Sequence, residues 1–295
     1  MSTSVADRPD WAVEGLDWPN RAASRFVETP GVTWHIQDQG DGPTVLLLHG
    51  AGAATHSWRD LLPLLASSFR VIAPDLPGHG FTRSQSRQDL SLPAMTRHVR
   101  ALLEALKVQP SLVAGHSAGA AVALRLSLDG LLGPAPVVSI NGALQPFAGM
   151  VAPVFQGLAM GLFANPLAVR LFTSSAQDPA RVRRVLEGTG SRIDERGLDL
   201  YGRLFRNAGH VAGTLGMMGQ WDLRTLRRDL GRLTTPLHLV VGAGDLAVPP
   251  SVARGVLETV AHAQIMTLTG LGHLAHEERP DLVAEIIRKL AEKGP

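Results

Sequence analysis

SLVAGHSAGAAVALRLSL, residues 111–128, decides the fold. Its first five residues form a short apolar run of strand length, and its last eleven, Arg125 apart, are small or apolar and read as a helix. Between them lies GHSAG (115–119), a G-x-S-x-G turn. A turn this sharp holds its serine in a strained conformation with the Oγ pushed out above the sheet edge. Gly115 and Gly119 let the strand and helix backbones pass close together, and the helix aims its N-terminal amides at the same point. Ser117 is therefore read as a nucleophile in preference to a plain structural turn.

The same rhythm extends outward on both sides. TVLLLHG (44–50) reads as a buried strand leading into a Gly/Ala-rich loop and a helix through Leu61, Leu62, Leu64 and Leu65. RVIAPDL (70–76) is the next strand, ending in the turn PGHG, and a helix through Val99, Leu102, Leu103 and Leu106 follows. PVVSI (136–140) is another strand. After a break of roughly 90 residues, the strands PLHLVVGAGD (236–245) and AQIMTL (263–268) resume the pattern, with helices near 250–260 and from about 280. RFVETPGVTWHIQDQG predicts two antiparallel edge strands turning at Pro30-Gly31. Apolar strands alternating with helices indicate a parallel sheet covered on both faces. The expected architecture is a doubly wound α/β core of residues 1–143 and 233–295, with a helical cap, 144–232, inserted between the two parts.

A serine hydroxyl needs a neighbouring base. In the α/β-hydrolase fold, which this pattern resembles, the chain order is serine, acid, histidine. GLGHLAHEERP (270–280) places His273 in the loop after the last strand; His276 lies at the start of a helix and is read as structural. GAGDLAVPP (242–250) places Asp245 after the preceding strand. There it can hold the imidazole tautomer, the competing reading being a helix cap. The other strand end that can carry the acid, SINGALQPF (139–147), has no carboxylate. Oxyanion donors are expected from the amides of Ala118 and Ala51, with Gly52 as the lesser choice. His49, Asp75 and His79 are read as groups that fix loops, and His116 either lines the pocket or packs.

Composition narrows the function further. The chain has 295 residues, 45% hydrophobic and 18% charged, with a net charge of +2 and no cysteine. That excludes disulfides and thiolate chemistry and argues against nucleic acid as a partner. Serine at 117 argues against relatives that use a carboxylate nucleophile. No HExxH, Walker A or EF-hand pattern occurs, so neither a metal nor any other cofactor is expected. The charged N-terminus lacks the apolar core of a secretory signal, which makes the cytoplasm the expected compartment.

From Gly130 to Val169 there is no charged residue and no histidine. Proline, glutamine and asparagine interrupt this run, so it does not read as membrane-spanning. Three readings stay open for its second part: the buried half of the cap, the lining of an apolar pocket, or a peripheral membrane patch. Phe155 and Met160 are candidate pocket residues, as are Met217 and Trp221 from the cap's second half and Trp58 from the loop after the first buried strand. Residues 170–232 carry 12 arginines against 7 acids, a local charge of +5. A cationic cap over an apolar pocket would attract a hydrophobic carboxylate ligand.

Beyond the core motifs, three long stretches carry a narrower resemblance. They are DWPNRAASRFVETPGVTWHIQDQGDGPTVLLLHGAGAATHSWRDLLPLL (17–65), GTGSRIDERGLDLYGRLFRNAGHVAGTLGMMGQWDL (188–223) and GLGHLAHEERP. The chain resembles the α/β-hydrolase-type magnesium-chelatase accessory proteins of bacteriochlorophyll biosynthesis. Ser117, Asp245 and His273 fall on that family's triad positions. The resemblance implies a role beside magnesium insertion into protoporphyrin IX, with that porphyrin as ligand and the chelatase subunits as partners.

Overall fold

The computed structural model describes residues 8–84, 90–146 and 166–292. Nine strands form its sheet: β1 (Ser24–Thr29), β2 (Val32–Gln39), β3 (Thr44–Leu48), β4 (Arg70–Pro74), β5 (Arg83–Ser84), β6 (Leu112–His116), β7 (Val137–Ile140), β8 (Leu237–Gly242) and β9 (Gln264–Leu268). Their spatial order is β1-β2-β4-β3-β6-β7-β8-β9, with β5 pairing onto β2. The hairpin at Pro30-Gly31 is present, but only β1 lies at the edge, because β2 also pairs antiparallel with β4. From β4 through β9 the pairing is parallel.

Side chains alternate between two cores, as a pleated strand requires. Val45, Leu47, Leu112, Ala114, Val138 and Ile140 pack with α1 (Leu61–Ala66) on one face. The other face carries Leu46, Leu48, Val113 and Val137 against α2 (Leu92–Leu106) and α3 (Ala118–Leu128). Register then sets the chemistry: Leu48 pairs with Gly115, His116 with Ile140, and Gly242 with Leu268. These strands therefore end together, and the loops after them converge on one edge, where ligands bind in open α/β sheets.

Between β7 and β8 the described chain forms α4 (Pro166–Ser175), α5 (Pro179–Glu187), α6 (Glu195–Phe205), α7 (Ala208–Gln220) and α8 (Arg224–Asp229). The side chains of Asp178, Asp194 and Asn207 accept amide hydrogens at the starts of α5, α6 and α7, which marks where these helices begin. Leu226 of α8 packs in the main core and Asp229 pairs with Arg125 of α3 at 2.8 Å, so this helix is seated on the core. After β8 come α9 (Ser251–Leu257), α10 (Ala275–Glu278) and α11 (Pro280–Glu292). Among the described residues no helix is long and apolar enough to cross a membrane.

Candidate active site

Ser117 sits at the β6–α3 turn with φ 50° and ψ −115°, a conformation that L residues rarely adopt. Its amide donates to the Ile140 carbonyl at 3.0 Å, and its own carbonyl accepts from Ala120 and Ala143. The close passage expected of the glycines is present. A methyl at Gly119 would lie 2.1 Å from the Leu48 carbonyl oxygen, and one at Gly115 would meet the Ala120 amide. Backbone packing thus fixes the elbow.

His273 and Asp245 meet from the loops after β9 and β8. The His273 Nδ1–H donates to Asp245 Oδ2 at 2.7 Å, which leaves Nε2 as the ring's acceptor. The other carboxylate oxygen, Oδ1, accepts the amides of Ala247 and Val248, both at 2.8 Å. A further partner comes from the strand end that has no acid. Asn141, in a left-handed conformation with φ 48°, donates its side-chain amide to Asp245 Oδ2 at 2.5 Å and to the Gly272 carbonyl at 3.2 Å. Asn141 was not singled out in the sequence; the signal was its place at the alternative acid position.

Ser117, Ala118, Ala51 and His273 line one cavity of about 570 Å³. Among the described residues the Ser117 hydroxyl makes no hydrogen bond to the His273 ring. Unliganded sites often show this, since such bonds tighten when substrate binds. The Ala51 amide is aimed by its neighbour. The His49 Nδ1–H donates to the Gly50 carbonyl at 2.8 Å, and its Nε2 accepts the Leu76 amide at 2.8 Å. In a planar trans peptide the C=O and N–H point to opposite sides. Tethering the Gly50 oxygen to the buried His49 ring therefore turns the Ala51 N–H away from that ring.

Deeper groups fix the loops. Asp75 accepts from His35 at 2.8 Å and from the amides of Thr55 and Phe81. Burial opposes its charge, but His35 and those neighbours outweigh burial and hold its carboxyl below the usual range. His79 bonds the Pro77 carbonyl at 3.2 Å. His116 donates from Nε2 to the His273 carbonyl at 2.9 Å and stacks on both His273 and His276. It is 3% exposed and lines neither cavity described here, so the packing reading applies and the pocket-lining one is corrected. Trp58 is corrected too: it is fully buried below the site, its ring 4.5 Å from that of His276. Burial pushes both His116 and His276 well below the ordinary imidazole range, so both rings are neutral.

Met217 and Trp221 line the Ser117 cavity, together with Met218, Val185, Leu223 and Val248. A second cavity of about 570 Å³ adjoins it, meeting it at Ala51, Val185 and Met218 and walled by Gly52, Phe205, Val211 and Leu215. Phe155 and Met160 fall outside the described residues. Several arginines of the cap are held in ion pairs: Arg183 with Glu195, Arg203 with Asp17 and Asp199, and Arg228 with Asp229. Of the twelve arginines in 170–232, Arg224 is the one among the described cavity-lining residues, and it forks onto Asp222 at 2.8–3.2 Å.

A profile described as the alpha/beta hydrolase family matches residues 45–286. The chain belongs to the alpha/beta hydrolase family. Within that family it is 41% identical over 274 residues to the magnesium-chelatase 30 kDa subunit of Rhodobacter capsulatus, covering 92% of this chain and 95% of that one. Among solved structures, an alpha/beta hydrolase fold protein from Burkholderia ambifaria superposes with a TM-score of 0.76 at 21% identity, covering 90% of this chain and 97% of its own. A serine hydrolase involved in carbazole degradation gives 0.72 at 21% identity over 92% and 98%. The alpha/beta hydrolase fold expected from residues 111–128 is therefore present, as is the narrower likeness to a chelatase-associated protein.

The family's core does not account for how tightly the helical insertion grips this site. The segment Gly188–Arg192, noticed in the sequence only as part of a longer resemblance, lies against both the acid and histidine loops. The Leu246 amide donates to the Thr189 carbonyl at 3.1 Å, and the Leu274 amide to Ser191 Oγ at 2.7 Å. Gly190, with φ 86°, leaves no room for a methyl against the Gly244 carbonyl. On the far side of His273, Glu277 of α10 accepts from Arg59 and, at 2.8 Å, from the Tyr201 hydroxyl of α6. Burial pushes the Glu277 carboxyl up to about 7 although Arg59 and Tyr201 pull it down.

Proposed function

We propose that this chain is a serine hydrolase that cleaves an ester or similar acyl bond of a hydrophobic substrate, in the service of magnesium insertion into protoporphyrin IX. The observation that carries the chemistry is the Asp245–His273 hydrogen bond at 2.7 Å beside a cavity that also holds Ser117. In this reading His273 Nε2 takes the proton of Ser117 as Oγ attacks the carbonyl carbon. The amides of Ala51 and Ala118 receive the oxyanion, and His273 returns the proton to the leaving group. Water then repeats the sequence on the acyl-enzyme. Asp245 holds His273 in the required tautomer, and the helical insertion caps the site. The apolar lining and the adjoining second cavity support a substrate with hydrophobic bulk on both sides of the scissile bond.

The link to magnesium insertion is carried by the Rhodobacter capsulatus relative. In this reading the chain acts with the chelatase on the tetrapyrrole. A second reading, a porphyrin binder that presents substrate without hydrolysis, is favoured by the relative's being a chelatase subunit. One pair of assays separates the two. Aryl-ester turnover is expected to vanish in Ser117→Ala, together with stimulation of purified magnesium chelatase. Stimulation retained by Ser117→Ala, with saturable protoporphyrin quenching of tryptophan emission, would establish the binder instead.

A further inference from the structure

His210 is the single histidine of residues 144–232, and it stands 2% exposed on α7. Its Nε2–H donates to the Gly52 carbonyl at 3.1 Å, while its Nδ1 accepts the Gly80 amide at 3.1 Å. A ring that accepts at Nδ1 and donates at Nε2 must be neutral. Burial ensures this by pushing its pKa down to about 4. The helix carrying it packs backbone against backbone on the loop that holds Gly80. A methyl at Gly213 would lie 1.9 Å from the Gly78 carbonyl oxygen, and the Thr214 hydroxyl donates back to the His210 carbonyl at 3.0 Å.

Gly52 follows directly on Ala51 and has φ 78°, so this turn gains little rigidity from its own backbone. The turn is instead held at both ends. His49 and the Ala53 amide bind the Gly50 carbonyl at one end, and His210 binds the Gly52 carbonyl at the other. The first of these holds comes from the core; the second comes from the insertion. We propose that His210 is a positioning residue, supplied by the helical insertion, that locks the Ala51–Gly52 turn in the shape that presents the Ala51 amide to the oxyanion. This inference rests on the serine-hydrolase reading above.

The test compares His210→Asn with His210→Gln. The longer glutamine places its amide nitrogen where Nε2 stood and keeps the hold on Gly52. Asparagine places an acceptor where Nδ1 stood and keeps only the hold on Gly80. For aryl-ester hydrolysis, His210→Asn is expected to lower kcat about 10- to 100-fold, with KM changed less than about twofold. His210→Gln should recover most of that loss, and labelling of Ser117 by an alkyl fluorophosphonate should slow in parallel with kcat. Ser117→Ala is the control. If turnover survives it, or if the unaltered protein turns over no ester, the serine reading fails and takes this inference with it. If Ser117→Ala is inert while His210→Asn keeps full kcat, the positioning role alone is overturned. Equal losses in the asparagine and glutamine variants overturn it as well, because they would reflect packing rather than the Gly52 bond.

Discussion

The sheet edge and the helical insertion both build this site, but by different means. On the sheet edge each candidate group occupies the first turn after a strand: Ala51 after β3, Ser117 after β6, Asn141 after β7, Asp245 after β8 and His273 after β9. Position in the fold gives them their place, and side chains carry the chemistry. The insertion contributes single hydrogen bonds to the backbones of those same loops, from the Thr189 carbonyl, Ser191 Oγ and His210. In the proposed reading one region provides the reacting groups and the other limits how far their loops can stray. Changes on the sheet edge should therefore abolish turnover, whereas changes in the insertion should weaken it by degrees.

The largest expected effect is that of Ser117→Ala, a loss of about 10⁴-fold or more in kcat on aryl esters with the thermal midpoint nearly unchanged. Asp245→Asn should follow with about 10³–10⁴-fold, since an amide at 245 favours the wrong His273 tautomer. If either variant retained a tenth of the activity, the sheet edge would lose its claim to the chemistry. On the insertion side, Ser191→Ala leaves the buried Leu274 amide unpaired, at a cost of roughly 1–3 kcal/mol. Steady-state assays should show about a tenfold fall in kcat, and calorimetry a lower midpoint. A loss as deep as that of Ser117→Ala would erase the distinction between the two regions.

The smallest effect concerns pH. Glu277 lies where the two regions meet, with its pKa raised from 4.5 to about 7. Between these values the folded chain holds a proton that the unfolded chain has released. The contribution of this one group to stability is therefore lost as the pH rises from 5 to 7.5. A difference of ~1 kcal/mol moves the midpoint of a chain this size by about 2–4 °C. The buried His49, His56, His79, His116, His210 and His276, all held below their ordinary range by burial, act the other way. The unaltered protein should therefore melt higher at pH 7.5 than at pH 5, and Glu277→Gln should steepen that rise. A rise no steeper in the variant would show that Glu277 contributes nothing to the pH dependence.

Much of the sheet side was legible because its signals are periodic and local. GHSAG needs only a strand before it and a helix after it, and TVLLL, LVAGH and LHLVV announce themselves by composition. The reason Asp245 takes the acid's place is also visible, since SINGA offers no carboxylate. That the same stretch supplies Asn141 to brace Asp245 was not visible, because an asparagine in a turn has a simpler local explanation. Trp58 illustrates the opposite error: it is near the oxyanion loop in sequence, yet the loop turns it inward beneath His276. The arginine-rich stretch hid its arrangement for a related reason. A charge count does not record where the Asp17–Arg203 and Glu195–Arg183 pairs sit. It therefore cannot tell that the pairs are spread over the helix faces, while Arg224 alone among the described cavity-lining residues is an arginine.

The contacts of Gly190 and Gly213 bear on how this protein can be re-engineered or can diverge. Both seat the insertion by backbone against backbone, where a single added methyl has no space. Exchange of whole lids between relatives, a common route to new selectivity, is therefore constrained here. A transplanted segment lacking small residues at those two points would perch above the core instead of docking. The loops beneath it would then lose their outer support, so modularity in this lineage is limited by two missing side chains.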